Sequence, residues 1–277
     1  MGELLKSMGH DLVAWRKQLM HMAFITVRKQ TQNTFLGSLW LIVKPAMYIF
    51  CFWFAIYVGL RGGQSGLNSL QYLIWLSAGI MPWFFLQDTL NGGSKVFSKY
   101  KHLVNKLKFP VALIPVFYEL ASMLVHFLLL AVLFVMYLLA GGVIDVYFVQ
   151  IPLLIVLMYL FSIGWSLITS SLSALSKDFE NIIATLRTPI FWLSGVIFDI
   201  AAIDNPVAHW LLQFNPVTFI VQSYRLVFSN GTAVPGEASW LWADPVFFLC
   251  GVGTIAVTVI VGLFVFSRLH KDIPDVL

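Results

Sequence analysis

The chain has 277 residues, of which 59% are hydrophobic and only 11% charged, with a formal net charge of +4. This composition and a mean hydropathy of +0.85 exclude an ordinary water-soluble domain. Several apolar runs approach or exceed the ~20 residues that cross a bilayer. The basic residues flank those runs, so they argue for anionic lipid and orientation rather than for nucleic acid as a partner. Cys51 and Cys250 each sit inside an apolar run and read as small packing residues, with no disulfide framework or metal spacing. The six histidines are scattered and form no ligand cluster. The first apolar run is too long and starts too late for a cleavable signal peptide.

Residues 1–34 do not span. Leu5, Met8, Leu12, Trp15, Leu19 and Met22 recur at steps of three and four, which marks one helical face. The stripe suits an amphipathic helix lying flat at the membrane interface, or one packed on a neighbouring soluble protein. Five further runs follow, at about 35–60, 71–90, 111–140, 146–174 and 182–198, and a sixth at about 245–267. The segment 91–110 carries Lys95, Lys99, Lys101, Lys106 and Lys108 with no acid, interleaved with Val96, Phe97, Tyr100, Leu103, Val104 and Leu107. It is either a solvated cytoplasmic loop or a short amphipathic helix on which a partner presses. With the N-terminus inside, fourteen basic residues fall on inner segments, and Arg61 and Arg225 alone on outer ones. That asymmetry favours both termini inside and an even number of spans.

Residues 200–244 are ambiguous. Residues 209–228 are apolar enough for a span, but Gln213, Asn215-Pro216, Gln222 and Arg225 interrupt them. An Asn-Pro break frees backbone groups that lipid cannot satisfy. Two short helices, about 207–214 and 216–228, are therefore expected to dip into the outer leaflet and return as a re-entrant hairpin. The expected fold is thus a single all-α polytopic domain over 1–277, with an N-terminal interfacial helix, six transmembrane helices and this hairpin before the last.

No Gly-Lys dipeptide, G-x-S-x-G, H-E-x-x-H or C-x-x-C occurs, so a P-loop and the common hydrolytic or redox motifs are absent. Catalysis by the chain alone is not expected. Lys44, Asp88 and Glu119 fall at similar depth inside apolar runs. Such charges pair, line a wet path or snorkel to the interface, so a Lys44–Glu119 or Lys44–Asp88 pair near an inner gate is one expectation. Aromatic faces give contact area without fixing a ligand through many hydrogen bonds. Tyr57, Tyr72, Trp83, Phe84 and Phe85 are accordingly candidates for a channel wall, or for plain packing. Arg28 and Lys29 suit anionic lipid at the membrane surface. Asp178 and Glu180 either touch a partner or favour the N-terminus of the fifth span.

Several runs together carry a resemblance. They are Phe35-Leu36-Gly37-Ser38-Leu39-Trp40 before Pro45, Leu60-Arg61-Gly62-Gly63, Ala78-Gly79-Ile80-Met81-Pro82-Trp83-Phe84-Phe85, and Gly93-Ser94 through Leu103 to Lys108-Phe109-Pro110. Lys177-Asp178-Phe179 and Phe214-Asn215-Pro216 with Tyr224-Arg225 complete the set. In order and spacing the chain resembles the permease subunit of type-2 ABC exporters over nearly its whole length. It is similar in particular to those exporting wall teichoic acid, O-antigen and capsular polysaccharide. Arg61-Gly62-Gly63 and Lys108-Phe109-Pro110 lean to the teichoic acid branch, whereas Lys44 departs from the neutral polar residue expected there. The resemblance implies a bacterial cell-membrane protein that exports a polymer on a polyprenyl diphosphate, or small molecules as the alternative. It implies two copies around a channel and two separate ATPase subunits that hold ATP and magnesium, so this chain binds no cofactor. It also implies ATPase coupling through 91–110, with Phe97, Tyr100, Lys101, Leu103, Asp178 and Glu180 as contact residues, a re-entrant hairpin bearing Asn215, Pro216, Tyr224 and Arg225, and Arg28 and Lys29 as residues for the lipid diphosphate or for anionic lipid in general.

Overall fold

A computed structural model of the chain describes residues 2–60, 67–106, 109–200, 203–229 and 239–273. The Arg61-Gly62-Gly63 turn and Lys108 lie outside the described residues. Everything regular among the described residues is helical: α1 (Gly2–Ala14), α2 (Arg16–Thr31), α3 (Trp40–Trp53), α4 (Ser69–Gly92), α5 (Val96–Lys99), α6 (Lys101–Lys106), α7 (Leu113–Leu139), α8 (Ile151–Leu175), α9 (Lys177–Leu193), α10 (Pro206–Gln213), α11 (Pro216–Phe228) and α12 (Pro245–Leu269).

The starts of these helices follow from local chemistry. Asn68 accepts from the amides of Leu70 and Gln71, while the Gln71 side chain accepts from the Asn68 amide, a reciprocal cap that opens α4. Asn205-Pro206, Asn215-Pro216 and Asp244-Pro245 each place a capping side chain before a proline at the first helical position. Ser176 accepts from the Asp178 amide and starts α9, with Asp178 and Glu180 in its first turn.

Among the described residues, five helices are long and apolar enough to cross a membrane: Gly37–Gly59, Ser69–Lys99, Leu113–Leu139, Val146–Leu175 and Pro245–Leu269. The second is the hub: 72% of its apolar 18-residue stretch is buried, against 11% of that in the first and 17% of that in the last. The fourth and last pack backbone to backbone, since a Cβ on Gly164 or Gly262 would strike the other helix's main chain. The expected fifth span behaves differently. Its helix, α9, has 17 residues, includes Lys177, Asp178, Glu180 and Arg187, and ends at Leu193. At 1.5 Å per residue it reaches about 26 Å, short of the ~30 Å hydrocarbon core. α10 and α11 are shorter still, at 8 and 13 residues.

The N-terminal stripe is partly spent inside the chain rather than on lipid or a neighbour. Trp15 packs edge-on to Phe109 at 5.1 Å, and Leu19, Ala23 and Thr26 are buried as α2 lies along α7. Val13, Met20 and Phe24, on the other side, are exposed. Cys51, expected to pack, is also exposed; Cys250 is half-buried.

Candidate functional site

The second span turns into the basic segment through Asn91-Gly92-Gly93-Ser94, and two carboxylates stand beside that turn, Asp88 half-buried and Glu119 buried. Asp88 accepts from the hydroxyls of Tyr118 (3.0 Å) and Ser122. Glu119, fully buried, accepts from Thr89 (2.7 Å) and Ser166. The node ties α4, α7 and α8 together. It demands the two glycines: a Cβ on Gly92 would fall on the Tyr118 hydroxyl, and one on Gly93 would fall on the Ser166 hydroxyl. Buried carboxylates are tolerated where hydroxyls satisfy them, and here hydroxyls rather than a cation do so.

That corrects the expected ion pair. Lys44 makes no salt bridge to Asp88 or Glu119. It is exposed, with its ammonium 5.8 Å from the Trp40 ring. Lys44 and Asp88 instead line a common cavity of about 460 Å³, together with Gln30, Tyr48, Phe84 and His126.

The aromatic candidates divide. Tyr72, Trp83 and Phe85 are buried within the subunit, so as a channel wall they are corrected to packing residues. Trp83 packs on Phe191 at 5.2 Å and donates its indole N–H to Gln87; Phe85 packs on His126. Consecutive helical positions point ~100° apart, so Trp83, Phe84 and Phe85 cannot share one face. Tyr57 and Phe84 are half-buried. Tyr57 stacks on Tyr72 (5.6 Å), and Tyr72 on Trp75 (5.8 Å).

The basic segment presents the opposite face from the one expected. Val96, Phe97 and Leu103 are buried in a core with Leu19, Phe117 and Phe266, so Phe97 and Leu103 are not available to a partner. An amphipathic stretch buries its apolar side in the nearest core, and α7 and α12 supply one. Tyr100 hydrogen-bonds Thr26 (3.1 Å) and packs on Phe117. Burial pushes its phenol above the usual tyrosine range, with the Thr26 hydrogen bond partly opposing. Lys95, Ser98, Lys99, Lys101 and His102 are exposed. Ser98 reaches Glu180 at 3.4 Å, so Glu180 leans on this segment, while Asp178 is exposed. Arg28 and Lys29 stand exposed in the last turn of α2.

Asn215, besides capping α11, donates to the Ser194 hydroxyl at 2.8 Å, and Pro216 begins the helix. Tyr224 shares a 2.8 Å hydrogen bond with His126. Arg225 is buried, donating to the carbonyls of Gly195 (2.6 Å), Val196 (2.5 Å) and Phe198 (3.1 Å), just past the end of α9. Its guanidinium lies 3.6 Å over the Trp75 ring, and a Cβ on Gly79 would collide with it. Trp75, Gly79, His126 and Gly195 were not anticipated. The one local signal was a glycine inside an apolar helix, which marks close approach.

Comparison with known proteins agrees with this architecture. The family described as ABC-2 type transporter matches residues 17–229. The chain is 22% identical over 219 residues to the O-antigen export system permease protein RfbA of Myxococcus xanthus, covering 79% of this chain and 82% of that one. It is 22% identical over 248 residues to the O-antigen export system permease protein RfbA of Klebsiella pneumoniae, covering 89% of each. The chain thus belongs to the ABC-2 type transporter family, as a type-2 exporter permease.

Proposed function

We propose that the chain is the membrane subunit of an ATP-driven exporter that moves a polysaccharide, carried on polyprenyl diphosphate, outward across the bacterial cell membrane. The observation that carries this reading is family membership, joined to two relatives named for O-antigen export. Two copies enclose the path and two ABC ATPase subunits dock from the cytoplasm, holding ATP and magnesium. The exposed basic face at Lys95, Lys99 and Lys101 suits their docking, and the turn at Gly92-Gly93 links that face to the carboxylate node. α9 serves as a short sixth crossing, which keeps both termini inside, and α10–α11 form the re-entrant outer hairpin. Ten of the 13 residues of α11 are buried in protein, the surrounding that a helix ending within a membrane needs. Arg28 and Lys29, exposed near the first span, suit the diphosphate of the carrier lipid. Tyr57 and Phe84 are the aromatic candidates left with open surface for a channel wall.

Teichoic acid is the second reading, favoured by Arg61-Gly62-Gly63 and Lys108-Phe109-Pro110. The test reconstitutes the permease with its ATPase in proteoliposomes and measures ATP hydrolysis and transfer of lipid-linked polymer. Stimulation by a lipid-linked saccharide is expected. Stimulation by lipid-linked polyol phosphate alone selects the second reading, and stimulation by small hydrophobic drugs alone overturns both.

A further inference from the structure

At the end of the bundle away from the basic segment lies a cavity of about 550 Å³, inside the roughly 300–1,000 Å³ of small-molecule sites. The hairpin, the loop after α9 and the segment before α12 wall it. Its position is fixed by Gln150 at the start of α8, which donates to the Ser239 carbonyl and accepts from the Leu241 amide.

The wall carries open polar capacity. Ser223 is 1% exposed and its hydroxyl has no partner; the Nε of buried Arg225 likewise has none. Buried polar atoms left so are uncommon; Ser223 lines the cavity, whereas the Arg225 Nε lies on the Gly79 side. Gln222 spends only its amide nitrogen, on the Gly195 carbonyl, and the Gln213 side chain has no hydrogen bond among the described residues. Trp240 lines the same cavity and stacks on the half-exposed Trp242 at 4.8 Å and 10°, continuing an indole surface outward.

We propose that this cavity is a glycan subsite at the outer end of the protein, taking a neutral sugar unit of the exported polymer; the assignment rests on the export reading above. Amide and hydroxyl groups beside an indole face match a sugar, which offers hydroxyls around its edge and C–H groups on its face. A phosphodiester chain fits poorly. The two terminal nitrogens of Arg225 are already committed to carbonyls, and Asp199 and Asp244 stand on the wall.

The test uses the full chain in nanodiscs. The probes are the repeat oligosaccharide released by mild acid from the surface polysaccharide of the source cells, and poly(glycerol phosphate) as the anionic comparator. Calorimetric titration is expected to show saturable binding of the neutral repeat. Binding should weaken about tenfold in Gln213→Ala and Trp240→Ala and be largely kept in Trp240→Phe, the size expected for one lost contact. The Gln213 side chain holds no other described group by a hydrogen bond, so its variant guards against loss through misfolding. Equal binding by wild type and Gln213→Ala, no binding of the repeat, or tighter binding of poly(glycerol phosphate) overturns the subsite. In the reconstituted complex, wild-type export by both alanine variants removes the subsite and leaves the export reading standing. Failure of the wild-type complex to move any polysaccharide removes the export reading itself.

Discussion

A guanidinium taken out of water costs several kcal/mol unless acceptors replace its hydration. Arg225 meets three carbonyls just past the C-terminus of α9, where the helix dipole is negative, and the face of Trp75. Replacing it by Met takes the Arg225 donor from the Val196 and Phe198 carbonyls and leaves the Gly195 carbonyl with Gln222 alone. The expected loss is about 3–5 kcal/mol, read as a lowered midpoint of thermal unfolding in detergent. Arg225→Lys does not restore it, because an ammonium is a point donor that cannot both stack and fork. Gly79→Ala should destabilise as well, by pushing a methyl into the same guanidinium. Little of this was legible in the sequence. Tyr224-Arg225 stood out, but nothing local says that position 225 meets positions 75, 79 and 195–198.

At the scale of elements, the junction between α4 and the basic segment is the place to interfere with the proposed coupling. Gly93→Ala sets its methyl against the Ser166 hydroxyl, so Ser166→Ala should recover part of the lost stability, as a positive coupling in a double-mutant cycle. Gly92→Ala gains nothing from Ser166→Ala, since its methyl meets Tyr118 instead. The basic segment separates core from surface in the same way. Phe97→Ala should cost about 3–5 kcal/mol, as a large buried side chain does. Lys101→Glu, at an exposed position, should leave unfolding unchanged while weakening co-purification of the ATPase. Equal damage to folding from both changes would contradict this division. The alternation of apolar and basic residues correctly announced a two-faced stretch. It did not announce that the apolar face is consumed by Leu19, Phe117 and Phe266, and the Trp15 stripe shares that fate.

At the scale of the molecule, the proposed topology predicts labelling by an impermeant thiol reagent applied outside intact cells. In a background with Cys51 and Cys250 replaced by serine, Trp242→Cys should label and Lys101→Cys and Lys271→Cys should not. Labelling of Lys271→Cys from outside would mean that α9 does not cross.

Hydropathy is a sum over neighbouring residues, so the membrane setting, the helical class and the five described helices long enough to cross follow from the chain read in order. The helix starts at Asn68, Asn215-Pro216 and Asp244-Pro245 are equally local, because a cap and the amide it satisfies lie two or three residues apart. Which charges meet, and which face of a helix turns inward, are settled between residues far apart in sequence. Lys44 stays unpaired, Asp88 and Glu119 find hydroxyls, and Trp83 and Phe85 turn into the core, because α4, α7, α8 and α9 close around one another in three dimensions. Only the packed structure could decide those, since their energies arise from contacts that do not exist until the helices are assembled.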